Sequence, residues 1–194
     1  MGAYSPAPII NKVLEKKIIN RIIRPTLKAL KKKKKPFTGF LYTGLMIKHN
    51  EPYLIEYNIR MGDPECQVIL PRLKTDLLEI INHSINNRLK KIKITWSKEK
   101  SMTVVLCSKG YPGNYGKNRI IKNLEKIRID KKSKIFHAGT TQKNGIFFSI
   151  GGRVLNITSK GSNFKMVRNK IYKIIKKINW KYGFCRKDIG WRVI

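Results

Sequence analysis

From Asn11 onward the apolar positions Leu14, Ile18 and Ile22 recur at helical spacing, and Pro25 interrupts the run before Leu27 and Leu30 continue it. The pattern predicts two short helices or one kinked helix. Ahead of it, MGAYSPAPII carries two prolines and neither a helical nor a strand period, so a loop is expected there. FTGFLYTGLMIKHN and PYLIEYNIR are rich in β-branched and aromatic residues and are separated by the turn-like His49-Asn50-Glu51-Pro52, which predicts an antiparallel hairpin. In its second strand Tyr53, Ile55, Tyr57 and Ile59 fall on one face, read as core, and Leu54, Glu56, Asn58 and Arg60 on the other. Asp63-Pro64 reads as a helix N-cap with proline at the first helical position. After Pro71, Thr75 is the expected cap of a helix whose Leu77, Leu78, Ile81, Ile85 and Leu89 form an apolar stripe.

Beyond KKIKI the character changes. MTVVLCSKGYPGNYGK, IRID, KIFHAG and GIFFSIGGRVLNIT alternate strand-like runs with glycine-rich turns, so a domain boundary is placed near Arg88 to Lys93. Gly151 and Gly152 are expected to allow a tight turn at positive φ. Phe164, Val167, Ile171, Ile174, Ile175 and Ile178 mark a closing amphipathic helix capped by Ser162 or Asn163, and CRKDIGWRVI ends the chain as a strand or docked segment. No internal repeat is present.

The chain has 194 residues, enough for one large or two small domains, and 41% hydrophobic residues exclude the disordered class. Lys and Arg number 43 against 11 Asp and Glu, giving a net charge of +32 that would attract phosphate backbones or anionic membranes. The lysines are spread over the whole chain and rise together with Ile and Asn, all with A/T-rich codons. Compositional drift therefore accounts for them better than a selected nucleic-acid site. Lys31 to Lys35 sit where a helix ends, a favourable place for cations in any case. Cys66, Cys107 and Cys185 are odd in number and widely spaced, as expected of free thiols in a reducing cytosol. No apolar run approaches the roughly 20 residues of a membrane helix, and no secretory leader is legible. A cytoplasmic protein without a membrane partner is expected.

Magnesium takes oxygen ligands and keeps several waters, so one carboxylate and one amide carbonyl beside nucleotide phosphates make a sufficient protein share. Glu56 and Asn58, at i and i+2 of one strand and roughly 6.5–7 Å apart at the backbone, are such a pair. Arg60 follows on the same face, where a guanidinium would hold a transferring phosphoryl group. Taken alone, E-x-N-x-R is far more often a solvated strand face than a site.

Its context is specific. MGAYSPAP, FTGFLYTGLMI, LIEYNIRMGDPE, ILPRLKTDLL, GYPGNYGK, FHAGT, GGRVLNITSKG and RKDIGWR resemble, in order and at matching spacing, segments of the phosphoribosylamine–glycine ligase (glycinamide ribonucleotide synthetase) family of the ATP-grasp superfamily. The resemblance covers essentially the whole chain. It implies an α+β fold: the C-terminal part of an ATP-grasp domain, antiparallel strands with helices, over residues 1–92, then a small mixed α/β C-terminal domain over 93–194.

The activity implied is ATP-dependent joining of glycine to 5-phosphoribosylamine through an acyl phosphate, in de novo purine biosynthesis. By position Glu56 and Asn58 match the family's Mg2+ or Mn2+ ligands, Arg60 a catalytic cation, and Gly62 and Asp63 the substrate and phosphate side. Asp63 has the helix N-cap as a competing role. Tyr4 and Ser5 either border the site or shape a turn, His137 is read as a hydrogen-bonding rather than a catalytic histidine, and a substrate contact from Arg153 stays open.

A complete family member carries an N-terminal domain and the segment gripping adenine and triphosphate ahead of MGAYSPAP, and neither is present here. The chain is therefore expected to be a C-terminal half with little activity alone, needing ATP, glycine, 5-phosphoribosylamine and a separate N-terminal half as partners. The alternatives are a basic polyanion- or RNA-binding module and a truncated gene product without function. Nucleic acid is not the expected partner, because the aromatic residues do not interleave with Lys and Arg as a stacking platform requires.

Overall fold

The computed structural model describes residues 1–194. They fold as two compact units that interleave along the chain, one made of Met1–Pro6, Asp63–Arg72 and Ser97–Ile194, the other of Ala7–Gly62 and Leu73–Trp96. The chain thus crosses between units four times, where the hydrophobic pattern suggested one boundary at Arg88 to Lys93.

The opening segment is a strand rather than a loop. Gly2–Ser5 form β1, and the strand exists because a distant partner hydrogen-bonds it: Gly2 lies opposite Val104 and Ser5 opposite Ser101. A Cβ on Gly2 would come within 2.5 Å of the Thr103 carbonyl oxygen, so the close approach requires glycine.

In the second unit α1 (Lys12–Ile18) starts at Asn11, whose Oδ1 accepts the Leu14 N–H at 2.9 Å. Leu14 is fully buried. A π-helical stretch, Ile19–Ile23, leads without a break into α2 (Arg24–Lys32), which carries Pro25 in its first turn. The widened turn accommodates a proline that would otherwise clash with the preceding helix. β2 (Tyr42–Lys48) and β3 (Glu51–Asn58) form the expected hairpin, joined by His49 and Asn50 at φ 50 and 58, the left-handed pair of a type I′ turn. Glu51 accepts from Lys17 and, at 2.6 Å, from Arg21, tying the hairpin to the helical segment.

Two expectations for this unit fail. The register passes from Gly44 opposite Glu56 to Leu45 opposite Leu54, so Ile55 is an extra, bulged residue and the simple alternation of β3 is broken. The face read as core is open: Tyr53 is 54%, Ile55 65% and Ile59 78% exposed, while Tyr57 is half-buried with its hydroxyl 2.5 Å from Thr26 Oγ1.

The chain returns to the first unit as α3 (Cys66–Ile69). Asp63-Pro64 does not start this helix. Asp63 Oδ1 accepts instead from the Gln67 side chain at 3.0 Å, and helical geometry begins beyond Glu65. In α4 (Leu77–Ile85), back in the second unit, the cap is Asp76, which receives the Glu79 N–H at 3.0 Å. Thr75 is diverted by the Thr95 N–H, which donates to its hydroxyl at 2.8 Å. Ile80 is buried, while Leu78, Ile85 and Leu89 of the predicted stripe are exposed.

The rest of the first unit is built on β4 (Lys100–Ser108), followed by β5 (Arg119–Ile121), β6 (Ser133–His137), β7 (Thr140–Lys143), β8 (Ile146–Ser149), β9 (Arg153–Gly161), α5 (Phe164–Ile175) and β10 (Gly183–Phe184). An antiparallel sheet runs β1-β4-β9-β6, with β10 also on β4, and a smaller antiparallel sheet runs β5-β8-β7. Asn163 Oδ1 caps α5 at the Met166 N–H, 2.8 Å, and Phe164, Val167, Ile171 and Ile174 bury the predicted stripe against Met102, Val104, Leu155 and Ile157. Gly151 and Gly152 are not at positive φ. Glycine is needed there by proximity, since a Cβ on Gly152 would overlap the Tyr111 ring at 2.1 Å.

Candidate functional site

β3 ends at Asn58, with Glu56 two residues before its end. The bulge sets Glu56 opposite Gly44, and a Cβ at Gly44 would lie 2.9 Å from Glu56 Cγ. The absent side chain gives the Glu56 stem its space. Asn58 Nδ2 donates to Glu56 Oε1 at 3.2 Å, so the two side chains converge as the i, i+2 spacing implies. With the amide nitrogen engaged, the carbonyl oxygen is the atom of Asn58 that can ligate a cation.

One carboxylate and one amide oxygen form a hard, incomplete donor set, and no group of three or more His, Cys, Asp or Glu gathers to complete a cage. Such a set fits a hydrated hard divalent ion that draws its remaining ligands from water and substrate oxygens. It does not fit a closed zinc site.

Arg60 departs from the expectation. It lies past the strand, in a bend, and its guanidinium turns back onto the Met61 carbonyl at 2.8 Å rather than continuing the face of Glu56 and Asn58. Gly62 is buried and ends one stretch of the second unit, while Asp63 begins the next stretch of the first. Within that first unit Arg153 donates to the Asp63 carbonyl oxygen at 2.8 Å and pairs with its carboxylate at 3.4 Å. Asp63 is thus held by an arginine 90 residues away, a link that sequence spacing has no means of showing.

The other residues singled out make contacts within the first unit. Tyr4 packs edge-on against Phe164 at 5.4 Å, and the Ser5 hydroxyl accepts from Arg72 at 2.7 Å. The same guanidinium donates to the Ser97 and Glu99 carbonyls at 3.0 and 2.9 Å, a clamp that the sequence pattern does not reveal. His137 hydrogen-bonds Thr140 at 2.9 Å and stacks on Phe147. Burial raises the thiol pKa of Cys66, with Asp63 and Glu65 adding to it, and burial likewise raises Cys107 and Cys185. All three thiols are free, and raised pKa values argue against a nucleophilic role.

Two domain profiles of one family match this chain: "Phosphoribosylglycinamide synthetase, ATP-grasp (A) domain" over residues 1–66 and "Phosphoribosylglycinamide synthetase, C domain" over residues 101–192. The chain belongs to the phosphoribosylglycinamide synthetase family. Among curated members it is 45% identical over 194 residues to the phosphoribosylamine–glycine ligase of Agrobacterium fabrum, a match spanning all of this chain and 45% of that protein. It is 45% identical over 198 residues to the chloroplastic phosphoribosylamine–glycine ligase of Arabidopsis thaliana, of which it covers 37%. The chain therefore spans less than half the length of these phosphoribosylglycinamide synthetase relatives.

The crystal structure of Thermotoga maritima phosphoribosylamine–glycine ligase superposes with a TM-score of 0.82 at 30% identity, covering 97% of this chain and 46% of that one. A biotin carboxylase from Campylobacter jejuni shares the fold at TM-score 0.64 and 13% identity, over 97% of this chain and 41% of that one. The fold is accordingly mixed α/β with antiparallel sheets, as expected of an ATP-grasp part followed by a small C-terminal domain. No helix is long and apolar enough to cross a membrane.

Proposed function

We propose that this polypeptide supplies the metal-ligating portion of a phosphoribosylamine–glycine ligase, which joins glycine to 5-phosphoribosylamine at the expense of ATP in purine biosynthesis in the cytoplasm. Residues 1–92 would form the C-terminal part of its ATP-grasp domain and 93–194 its C domain. The observation carrying the reading is the convergence of Glu56 and Asn58 on the bulged strand, a donor pair of the hardness that nucleotide-bound Mg2+ or Mn2+ requires. Such an ion, when bound, neutralises phosphate charge during phosphoryl transfer to the glycine carboxylate.

The chain's own residues divide the remaining work. Glu56 and Asn58 hold the ion through oxygen atoms. Arg60, released from the Met61 carbonyl, would offer its guanidinium to the developing acyl phosphate. Gly62 and Asp63 would border the substrate, with Asp63 kept in position by Arg153. The adenine and triphosphate contacts would come from the portion of the ligase that corresponds to the remaining length of the relatives.

Mixing the 194-residue chain with a separately produced N-terminal portion of a relative should yield glycine-dependent ADP formation that neither part gives alone. Glu56→Gln should reduce turnover by about two orders of magnitude or more, and electron paramagnetic resonance of added Mn2+ with ATP should show weaker binding in the mixture. Equal turnover by the lone wild-type chain would overturn the division of labour. Unaltered Mn2+ affinity in both Glu56→Gln and Asn58→Ala would remove these residues as ligands.

A further inference from the structure

Within the first unit, β5 and the segment leading to β10 enclose a concavity of about 440 Å³ lined by Asn118, Arg119, Ile120, Lys122, Asn179, Lys181 and Tyr182. Its frame is fixed from below. Ile121 and Trp180, which neighbour the lining residues, are buried at 1% and 7% exposure. The Lys122 N–H donates to the Asn179 carbonyl at 2.9 Å, and the Lys109 N–H donates to the Tyr182 carbonyl at 2.8 Å. Buried anchors thus hold a rim whose residues are all exposed.

The chemistry of that rim is one-sided. Three cations and two carboxamides line it with no carboxylate among them, and none of Arg119, Lys122 or Lys181 takes part in the ion pairs of the fold. Arg119 is nevertheless not free to wander. Its guanidinium carbon stands 4.8 Å from the Tyr182 ring centroid, and its Nε and Nη2 would lie 3.1 and 3.3 Å from a Cβ at Gly116. Stacking engages the flat face of a guanidinium and leaves the in-plane N–H donors available, the fork that binds a tetrahedral oxyanion in two-point fashion. A pre-positioned cation without an anionic partner is the arrangement of an anion site, because the ordering cost that weakens exposed charge pairs has already been met.

We propose that this concavity binds the phosphate group of a small phosphorylated metabolite, with Arg119 making the two-point contact, Lys122 and Lys181 neutralising charge, and the Asn118 and Asn179 carboxamides contacting the remainder of the ligand. Its volume is within the range of small-molecule sites, whereas an extended polyanion would need a continuous track. A second concavity, of about 560 Å³, lies beyond the Lys122–Asn179 bridge and is lined by Asn123, Lys126, Ile127, Arg128 and Lys177. It has basic side chains but no stacked guanidinium, which makes it an internal control for charge alone.

The test needs only binding by the 194-residue chain and is independent of ligase activity. Titration with inorganic phosphate, followed by NMR of the Arg119 Nε–H and nearby amides, should saturate. Arg119→Gln should weaken binding about tenfold or more, in keeping with a charge-assisted bidentate contact. Tyr182→Leu, which keeps every charge but removes the stacking surface, should weaken it about threefold. Lys126→Gln should stay within about twofold of wild type if the effect is not diffuse attraction. Unchanged thermal melting of each variant would show that the fold is intact. Equal losses in Arg119→Gln and Lys126→Gln, or no loss in Tyr182→Leu, would overturn the proposal. Binding of an oligouridylate that is insensitive to Arg119→Gln, without saturable phosphate binding, would overturn it in favour of a general polyanion surface.

Discussion

At the scale of single residues, charge in this protein matters where geometry restrains it. Arg186 donates to Asp188 through Nε at 2.9 Å, and this hydrogen bond, reinforced by the guanidinium charge, lowers the Asp188 carboxyl from 3.8 to about 2. A carboxyl lowered by folding contributes stability that is complete above its unfolded value near 3.8 and is lost as pH falls toward about 2. NMR titration of Asp188 should therefore give a midpoint near 2, and Arg186→Gln should return it toward 3.8. A midpoint already near 3.8 in the wild type would show that the pair does not persist in solution. Glu56 and Asn58 illustrate the same point without an ion pair. Their contact was legible because i and i+2 share a strand face, and it survives the nearby bulge because Glu56 and Asn58 both lie beyond Ile55. Arg60 was not legible, because the strand stops at Asn58 and the next residues bend.

At the scale of elements, what could be read depended on whether the determinant was local. α5 announces itself twice, by its helical period and by a cap at Ser162 or Asn163; the period is observed, and Asn163 is the cap. Asn163→Ala leaves the Met166 N–H without its side-chain partner and should cost about 1 kcal/mol of stability in urea denaturation. Asn163→Asp keeps the acceptor and adds a favourable charge at the helix start, so it should match or exceed wild type. A loss of similar size in both variants would mean that packing of Phe164, rather than the cap, sets the helix start. The hairpin was equally local, although the turn read over His49 to Pro52 is shorter than expected: His49 and Asn50 form it as a left-handed pair, and Glu51 and Pro52 already belong to β3. By contrast β1 has only four residues and no pattern of its own, and becomes a strand because β4 is there to pair with it. The bulge at Ile55 adds one residue to one strand, which a period of two cannot register. The Thr75 cap lost to Asp76 because Thr95, 20 residues away, claims the Thr75 hydroxyl.

At the scale of the whole molecule, a net charge of +32 on 194 residues opposes compaction at any pH where the lysines are charged. The few carboxylates are placed to offset this. Glu51 is held below its usual range chiefly by a hydrogen bond from Lys17, Glu99 by one from Lys132, and Asp130 by one from Lys170. For each the sign is the same: folded-state values lie below the unfolded 4.5 or 3.8, so the stabilisation is present above those values and is lost as pH falls through the lowered ones. Acid removes the offsets while leaving every cation in place, so the two effects compound. The melting temperature should be flat from neutral pH down to about 5 and then fall steeply below about 4.5. Salt should act in the opposite sense at neutral pH. Between about 20 mM and about 300 mM NaCl the screening length shortens from roughly 20 Å to under about 6 Å, which spans the separation of neighbouring surface cations. Repulsion weakens more than the close ion pairs do, because those pairs sit well inside either length. Thermal melting should accordingly rise by several degrees across that range, and the rise should be larger in acid below the lowered carboxyl values, where the pairs are gone and the repulsion stands unopposed. A melting temperature that falls with salt at neutral pH would show instead that the ion pairs at Glu51, Glu99 and Asp130 outweigh the repulsion among the lysines.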